Sequence, residues 1–132
     1  MTPKRPTNSR LKRQLKTMSL DELVTAYASY GLEQDQAMLR EEQARANALV
    51  FTLKSIEDEL KTRPGDQRSA LMRLYDHPNA QVRLNAIRAT LAVAPARGRA
   101  ALEVLAKSKQ YPAAGDAGMS LWALDQGIYK PT

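Results

Sequence analysis

The chain has 132 residues, a formal net charge of +6 at pH 7, no cysteine and one histidine, His77. A single domain of this length buries enough surface to fold without covalent or metal staples, and the lack of cysteine excludes disulfides, thiol catalysis and thiolate metal ligands. One histidine without cysteine is a poor ligand set for zinc, so we expect no metal and no cofactor. Alanine and leucine far outnumber aromatic residues, so we expect a helical protein.

The positive charge lies near the N-terminus. Of the 20 lysine and arginine residues, six fall in residues 1–17, which contain no acidic residue, and the other 14 balance the 14 acidic residues of 18–132. We therefore predict a flexible basic tail over residues 1–17 and a single α-helical repeat domain over residues 18–132. An alternative translation start at Met18 would remove the tail.

No apolar run reaches the roughly 20 residues that span a bilayer. The first residues also lack the apolar segment of a secretory signal. We therefore expect a cytoplasmic protein that has no membrane partner.

Two helices are predicted in the first half of the chain. A capping box at Ser19 and Glu22 predicts a first helix that ends at Gly31. A second, longer helix is predicted from about residue 33 to residue 62, with apolar side chains at helical spacing on one side and glutamate and arginine on the other. It ends where Arg63 precedes a proline, because that position disfavours helical backbone.

Four shorter helices are predicted in the remainder. Asp66 is placed to cap a third helix that reaches Tyr75, and Asn79 to cap a fourth from residue 80 to about residue 94. The fourth helix is apolar around most of its circumference, which indicates a central position with neighbours on several sides. A fifth helix is predicted from residue 95 to about residue 108, and a sixth from about residue 114 to residue 125.

Residues 71–87 have the pattern of one antiparallel helical hairpin. An apolar helix end leads to Asp76, a turn with proline and asparagine follows, and Val82 and Arg83 open the next helix, with a small residue, Ala86, four positions after the valine. This pattern resembles HEAT and armadillo repeats. The resemblance implies an all-α fold, a right-handed α-α superhelix of about three stacked helical hairpins, and an ion pair between Asp76 and Arg83.

Two further observations accompany this resemblance. A shift of 31 residues places three apolar residues of the hairpin on three later ones, which is a weak internal repeat: Leu71, Leu74 and Ala86 fall on Leu102, Leu105 and Ala117. From Met18 onward the chain also resembles a bacterial family of small HEAT-like proteins known only as a domain of unknown function, on residues 63–66, 77–83 and 115–119. That resemblance implies the superhelix and supplies no activity.

The residues that could carry catalysis do not form a complete set. His77 beside Pro78 is more typical of a turn residue that hydrogen-bonds a helix end than of a general base. Glutamates on the second helix are typical of a solvated surface, and a lone Trp122 on the last helix is typical of a core or capping residue. There is no nucleophile motif and no glycine-rich phosphate loop, so we predict that the protein is not an enzyme.

The predicted function is the binding of another protein by a non-catalytic module. Gln81, Asn85 and Arg88 form the narrow polar stripe of the fourth helix. We predict that they are partner-binding residues at the centre of a concave face, which the second helix of each hairpin would line.

The alternative is a nucleic-acid-binding HEAT-like protein that uses the basic tail and the body arginines. This hypothesis follows an analogy with HEAT-like glycosylases for alkylated bases. Such enzymes need a stacking aromatic and a carboxylate, for which the chain offers Trp122 with Asp116 or Asp125. The body arginines concerned are Arg68, Arg73, Arg83, Arg88, Arg97 and Arg99.

Overall fold

The computed structural model describes residues 8–132. In this range the chain forms six α-helices, one 3₁₀-helix (η1) and no β-strand, so the predicted all-α fold is confirmed for the described residues. The elements are α1 (Asn8–Lys16), α2 (Leu20–Leu39), α3 (Gln43–Thr62), η1 (Gln67–Leu74), α4 (Ala80–Thr90), α5 (Pro95–Ala106) and α6 (Ala113–Asp125). None of these described helices is both long and apolar enough to cross a membrane.

The described part of the predicted flexible tail is a helix. Leu15 of α1 is 2% exposed and belongs to the main hydrophobic core, and α1 packs on α3. The Arg63 guanidinium donates to the backbone oxygens of Leu15 and Met18 at 3.2 and 2.7 Å and pairs with Glu59 at 2.8 Å. Because Arg63 satisfies carbonyls at the end of α1, the predicted boundary at Met18 does not separate a tail from the body. Residues 1–7 of that tail lie outside the described residues.

The first predicted helix starts as expected but does not end at Gly31. The capping box at Ser19 is present, and α2 continues to Leu39. A Cβ atom on Gly31 would lie 3.0 Å from Cγ2 of Val82 and 3.3 Å from Nδ2 of Asn85. This glycine therefore allows α4 to approach α2 closely, which is a different use of the same residue from ending a helix.

The chain reverses between α2 and α3 at Glu41, whose φ of 57° lies in the left-handed region. The predicted second helix is accordingly shorter than expected. Two predicted caps are confirmed, since Asp66 accepts from the backbone N–H of Arg68 and Asn79 accepts from the backbone N–H of Val82 at 3.0 Å. The third predicted helix, which begins after Asp66, is a 3₁₀-helix in the structure. Helix α4 ends at residue 90, four residues earlier than predicted.

The helices pair as three helical hairpins, α2 with α3, η1 with α4, and α5 with α6. The central position predicted for α4 is confirmed, because α4 also packs on α2, α5 and α6. In the first hairpin it is α2, the first helix, that packs on α4. The reason is Gly31, which brings the two backbones together.

The hydrophobic core has two large clusters and one small one. α4 contributes to both large clusters through four side chains that are 1% exposed or less: Val82, Ala86, Leu84 and Ile87. The far end of the α2–α3 hairpin has a separate small cluster formed by Ala37, Ala46 and Leu49. Helix α4 thus connects the two large core clusters of the described residues.

Candidate functional site

The three residues predicted to bind a partner follow one another along one face of α4, and they differ in exposure. Gln81 is 5% exposed, Asn85 is half-buried and Arg88 is exposed. Gln81 Nε2 donates to Asn85 Oδ1 at 2.9 Å, and Asn85 Nδ2 donates to Oε1 of the buried Gln34 at 2.7 Å. This chain of amides joins α4 to α2, so two of the three residues are engaged inside the protein. Gln81 Oε1 is buried without a hydrogen-bond partner among the described residues.

Arg88 connects α4 to α6 and still faces solvent. Its Nε donates to Ser120 Oγ at 3.0 Å, and one terminal nitrogen donates to the backbone oxygen of Asp116 at 3.4 Å. Ser120 Oγ in turn donates to the same Asp116 oxygen at 3.0 Å. These bonds hold the guanidinium in one orientation, so that a partner would meet a charged group that is already ordered.

Two large apolar side chains of α6 are exposed to solvent. Met119 precedes Ser120 and is 63% exposed, and Trp122 lies three residues after Met119 and is 52% exposed. Residues three apart share one side of a helix. The same side carries Gly118, where a Cβ atom would have no other atom within 4 Å of it, so the surface next to the tryptophan is open.

The exposure of Trp122 corrects the expectation that it is a core or capping residue. The buried residues Ala113, Ala117 and Ser120 are spaced by four and three, so small side chains and not the large apolar ones line the covered face of α6. Trp122 is about 200° around the helix from Ser120 at 100° per residue. It therefore falls on the outer side, away from the face that α4 covers.

A partly buried acid, Glu57, lies near α4, and no sequence motif indicates it. Tyr27 is 1% exposed, and its hydroxyl lies 2.8 Å from Glu57 Oε2 and 3.1 Å from the backbone oxygen of Asn85. One hydroxyl proton serves two acceptors. Burial raises the pKa of Glu57, and burial together with the charge of Glu57 raises the pKa of Tyr27 well above its ordinary value. Both raised pKa values favour the protonated forms of the two side chains. The hydrogen bonds of Tyr27 connect α2 with α3 and α4.

The turn between η1 and α4 is held by side chains of its own. His77 Nδ1 accepts from the backbone N–H of Asn79 at 3.0 Å, which confirms its interpretation as a turn residue. Arg83 donates to the backbone oxygens of His77 and Pro78 at 2.7 and 3.1 Å and to Gln110 Oε1 at 2.9 Å. The expected ion pair with Asp76 does not form in the described chain, because the carbonyls of the turn occupy the guanidinium.

The body arginines proposed as a phosphate stripe are partly neutralised. Three of them pair with carboxylates on different elements: Arg68 with Asp66, Arg73 with Asp21, and Arg99 with Asp125. Asp125 is thus an ion-pair partner on the surface. Over residues 8–132, no three His, Asp or Glu side chains are grouped so as to hold a metal ion.

Comparison with known proteins gives two matches. A family described as a domain of unknown function (DUF2019) matches residues 21–125. The crystal structure of the protein RPA1889 from Rhodopseudomonas palustris CGA009 is 48% identical to this chain, with a TM-score of 0.87, and the alignment covers 89% of this chain and 98% of that one. No curated protein matches the chain.

Proposed function

The chain belongs to the family described as a domain of unknown function, DUF2019, and we propose that it is a non-catalytic module that binds another protein. The binding surface is the outer side of α6. We call Met119 and Trp122 the α6 surface. Of the predicted partner-binding residues, Arg88 is exposed but contacts the opposite side of α6, while Gln81 and Asn85 act by holding α4 against α2.

The observation that carries this proposal is the exposure of Met119 and Trp122 on one side of α6. Tryptophan, methionine and arginine are enriched at protein interfaces, and tryptophan and arginine dominate binding energies where they have been measured. Leaving apolar area in water costs about 25 cal/mol per Å², so two such side chains on one helix face favour a partner that covers them. The surface therefore favours a partner with an apolar centre.

We also propose that the three hairpins form a HEAT-like stack. The 31-residue internal repeat supports this proposal, because all six residues that it relates are buried. Those residues are Leu71, Leu74, Ala86, Leu102, Leu105 and Ala117. The proposed stack departs from the repeat pattern in two ways. The first helix of the second hairpin is the 3₁₀-helix η1, and Arg83 hydrogen-bonds the backbone of the turn before α4 and not Asp76.

The test compares two full-length variants in a capture experiment with an extract of the source organism. Met119→Ala with Trp122→Ala removes the exposed side chains of the α6 surface. The control, Val104→Ala, removes an apolar side chain of α5 that is 73% exposed. We expect the double variant to lose the captured protein and the control to retain it. Equal capture by both variants would contradict the proposed surface.

Binding of nucleic acid is the second candidate, and α1 is the observation that favours it. Lys12, Arg13 and Lys16 are exposed on α1, whose Leu15 is buried in the core. A helix fixed to the body presents these charges to a phosphate backbone with less loss of entropy than a flexible tail would incur. The experiment is titration of a DNA duplex at several salt concentrations.

If nucleic acid is the ligand, changing Lys12, Arg13 and Lys16 to Gln should reduce the log–log salt slope by about 0.9 for each phosphate that these side chains neutralise. The control is Lys107→Gln, an exposed lysine at the end of α5, which should leave the slope unchanged. An absence of salt-sensitive binding by the unmodified protein would exclude this candidate.

A further inference from the structure

The last five described residues cross the surface of the protein as an extended strap. Gly127, with a φ of 70°, ends α6, and the amides of Ile128 and Tyr129 both donate to the backbone oxygen of Ala123, at 3.0 and 3.1 Å. Beyond this point the strap, residues 128–132, contacts residues that are distant in sequence. Its course is therefore set by the surface beneath it.

Three positions of the strap meet that surface. The Tyr129 ring packs against the second core cluster, and its hydroxyl lies 3.5 Å from the backbone oxygen of Arg88. Pro131 lines a cleft of about 410 Å³ together with Leu91, Pro95 and Leu124. We call these residues, with the two cations described next, the strap surface.

The end of the strap lies against two cations. The backbone oxygen of Thr132 accepts from Lys61 Nζ at 2.8 Å and from the Arg68 guanidinium at 3.4 Å. Lys61 is on α3 and Arg68 is on η1, so the strap connects α6 with elements from the first half of the chain. Two positive charges at one oxygen also suit a carboxylate.

Exposure alternates along the strap as it does in a bound extended peptide. Tyr129 and Pro131 are partly buried, whereas Ile128, Lys130 and Thr132 are exposed. Alternate side chains enter pockets when an extended peptide lies in a groove. The strap is held by two side chains and one carbonyl, without the ladder of backbone bonds that anchors a strand in a sheet, so its displacement requires little loss of structure.

We propose that the strap surface binds extended peptides of the form tyrosine, any residue, proline, any residue, and that the strap occupies this surface as an intramolecular competitor. The partner is recognised by an aromatic ring, a proline two residues later, and an oxygen for Lys61 and Arg68. This inference rests on the proposed protein-binding function and names a class of partner for it. It uses a different part of the surface from Met119 and Trp122.

The experiment uses a fluorescent synthetic peptide with the sequence Ile-Tyr-Lys-Pro-Thr and the full-length protein. In the variant Tyr129→Ser with Pro131→Ser, the strap loses both partly buried side chains. Since an internal competitor weakens apparent affinity by the fraction of time that the surface is free, we expect the peptide to bind this variant at least about tenfold more tightly than the unmodified protein. Fluorescence anisotropy measures the two affinities.

The matched control is Ile128→Ser with Lys130→Ser, which changes two exposed residues of the same strap. It should bind the peptide as weakly as the unmodified protein does. Adding Lys61→Ala to the Tyr129 and Pro131 variant should weaken peptide binding about tenfold, because a charge-assisted hydrogen bond is removed. A peptide with an amide end should bind more weakly than one with a carboxylate end.

Far-ultraviolet circular dichroism and a cooperative thermal melt verify that each variant is folded. If the double variant does not fold, Pro131→Gly alone loosens the strap and should give the same direction of change. Equal peptide binding by the unmodified protein and the loosened variants, or no binding by any of them, would overturn the proposal. Loss of capture on changing Met119 and Trp122, with no peptide binding here, would leave the proposed function in place and reject the peptide groove alone.

Discussion

α4 and α6 are neighbouring helices with opposite uses for their apolar residues. On α4, Val82, Leu84 and Ile87 are all 1% exposed or less, and amide and guanidinium groups tie the helix to both neighbours. On α6, Met119 and Trp122 are more than half exposed. The apolar side chains of α4 are therefore constrained by the neighbours that they pack against. The outer side chains of α6 contribute little to folding, which leaves them accessible to a partner.

The largest effect should come from a charge in α4. Val82→Asp places a carboxylate where the side chain is 0% exposed and packs in the main hydrophobic core. We expect a loss of unfolding free energy on the order of 4 kcal/mol or more, measured by urea denaturation. The control Val104→Asp, on the exposed side of α5, should change it by less than about 0.5 kcal/mol. An unchanged stability of Val82→Asp would show that α4 lies at the surface.

Two glycines give the next comparison. Gly31→Leu adds a side chain where even Cβ would lie 3.0 Å from Val82, and overpacking of this kind costs about 1–3 kcal/mol. Gly118→Ala on α6 has open space around Cβ, and it should stabilise the protein by about 0.5–1 kcal/mol because alanine favours helix over glycine. Thermal melts of the two variants should move in opposite directions. A rise in both melting temperatures would mean that α2 and α4 are not in close contact.

The partly buried Glu57 should make stability depend on pH. Because its pKa in the folded protein is raised above the ordinary value of 4.5, the folded state binds this proton more tightly than the unfolded state does. The stability that this group contributes is therefore fully present below its ordinary pKa and falls as pH rises through the raised pKa. Glu57→Gln should abolish that fall, whereas Glu41→Gln, a change at an exposed residue that does not affect the pKa of Glu57, should retain it. Chemical denaturation at several pH values measures the difference, and parallel profiles for the unmodified protein and Glu57→Gln would contradict it.

The sequence predicted those parts of the fold that depend on short-range chemistry. The caps at Ser19, Asp66 and Asn79 are each decided by residues within three positions, and all three are present. The apolar circumference of α4 likewise predicted its central place. By contrast, Gly31 suits either a helix end or a close contact between helices, and only the position of α4 decides between these uses.

The candidate site was less accessible to sequence reasoning because its contacts are long-range. The polar residues of α4 do share one face, but their partners Gln34 and Ser120 come from helices on either side and could not be assigned from spacing. Tyr27 and Glu57 are 30 residues apart, and no motif relates them. The exposure of Trp122 is a further case, because it depends on which side of α6 faces α4.

The most direct test of the contrast between the two helices is one pair of measurements on the Met119→Ala, Trp122→Ala variant: its thermal unfolding and its capture of a protein partner. Removing side chains that are mostly in solvent should lower the unfolding free energy by less than about 1 kcal/mol, which is a few degrees in melting temperature, while capture is lost. A large drop in melting temperature with capture retained would contradict this account, because α6 would then serve the fold and the partner would bind elsewhere.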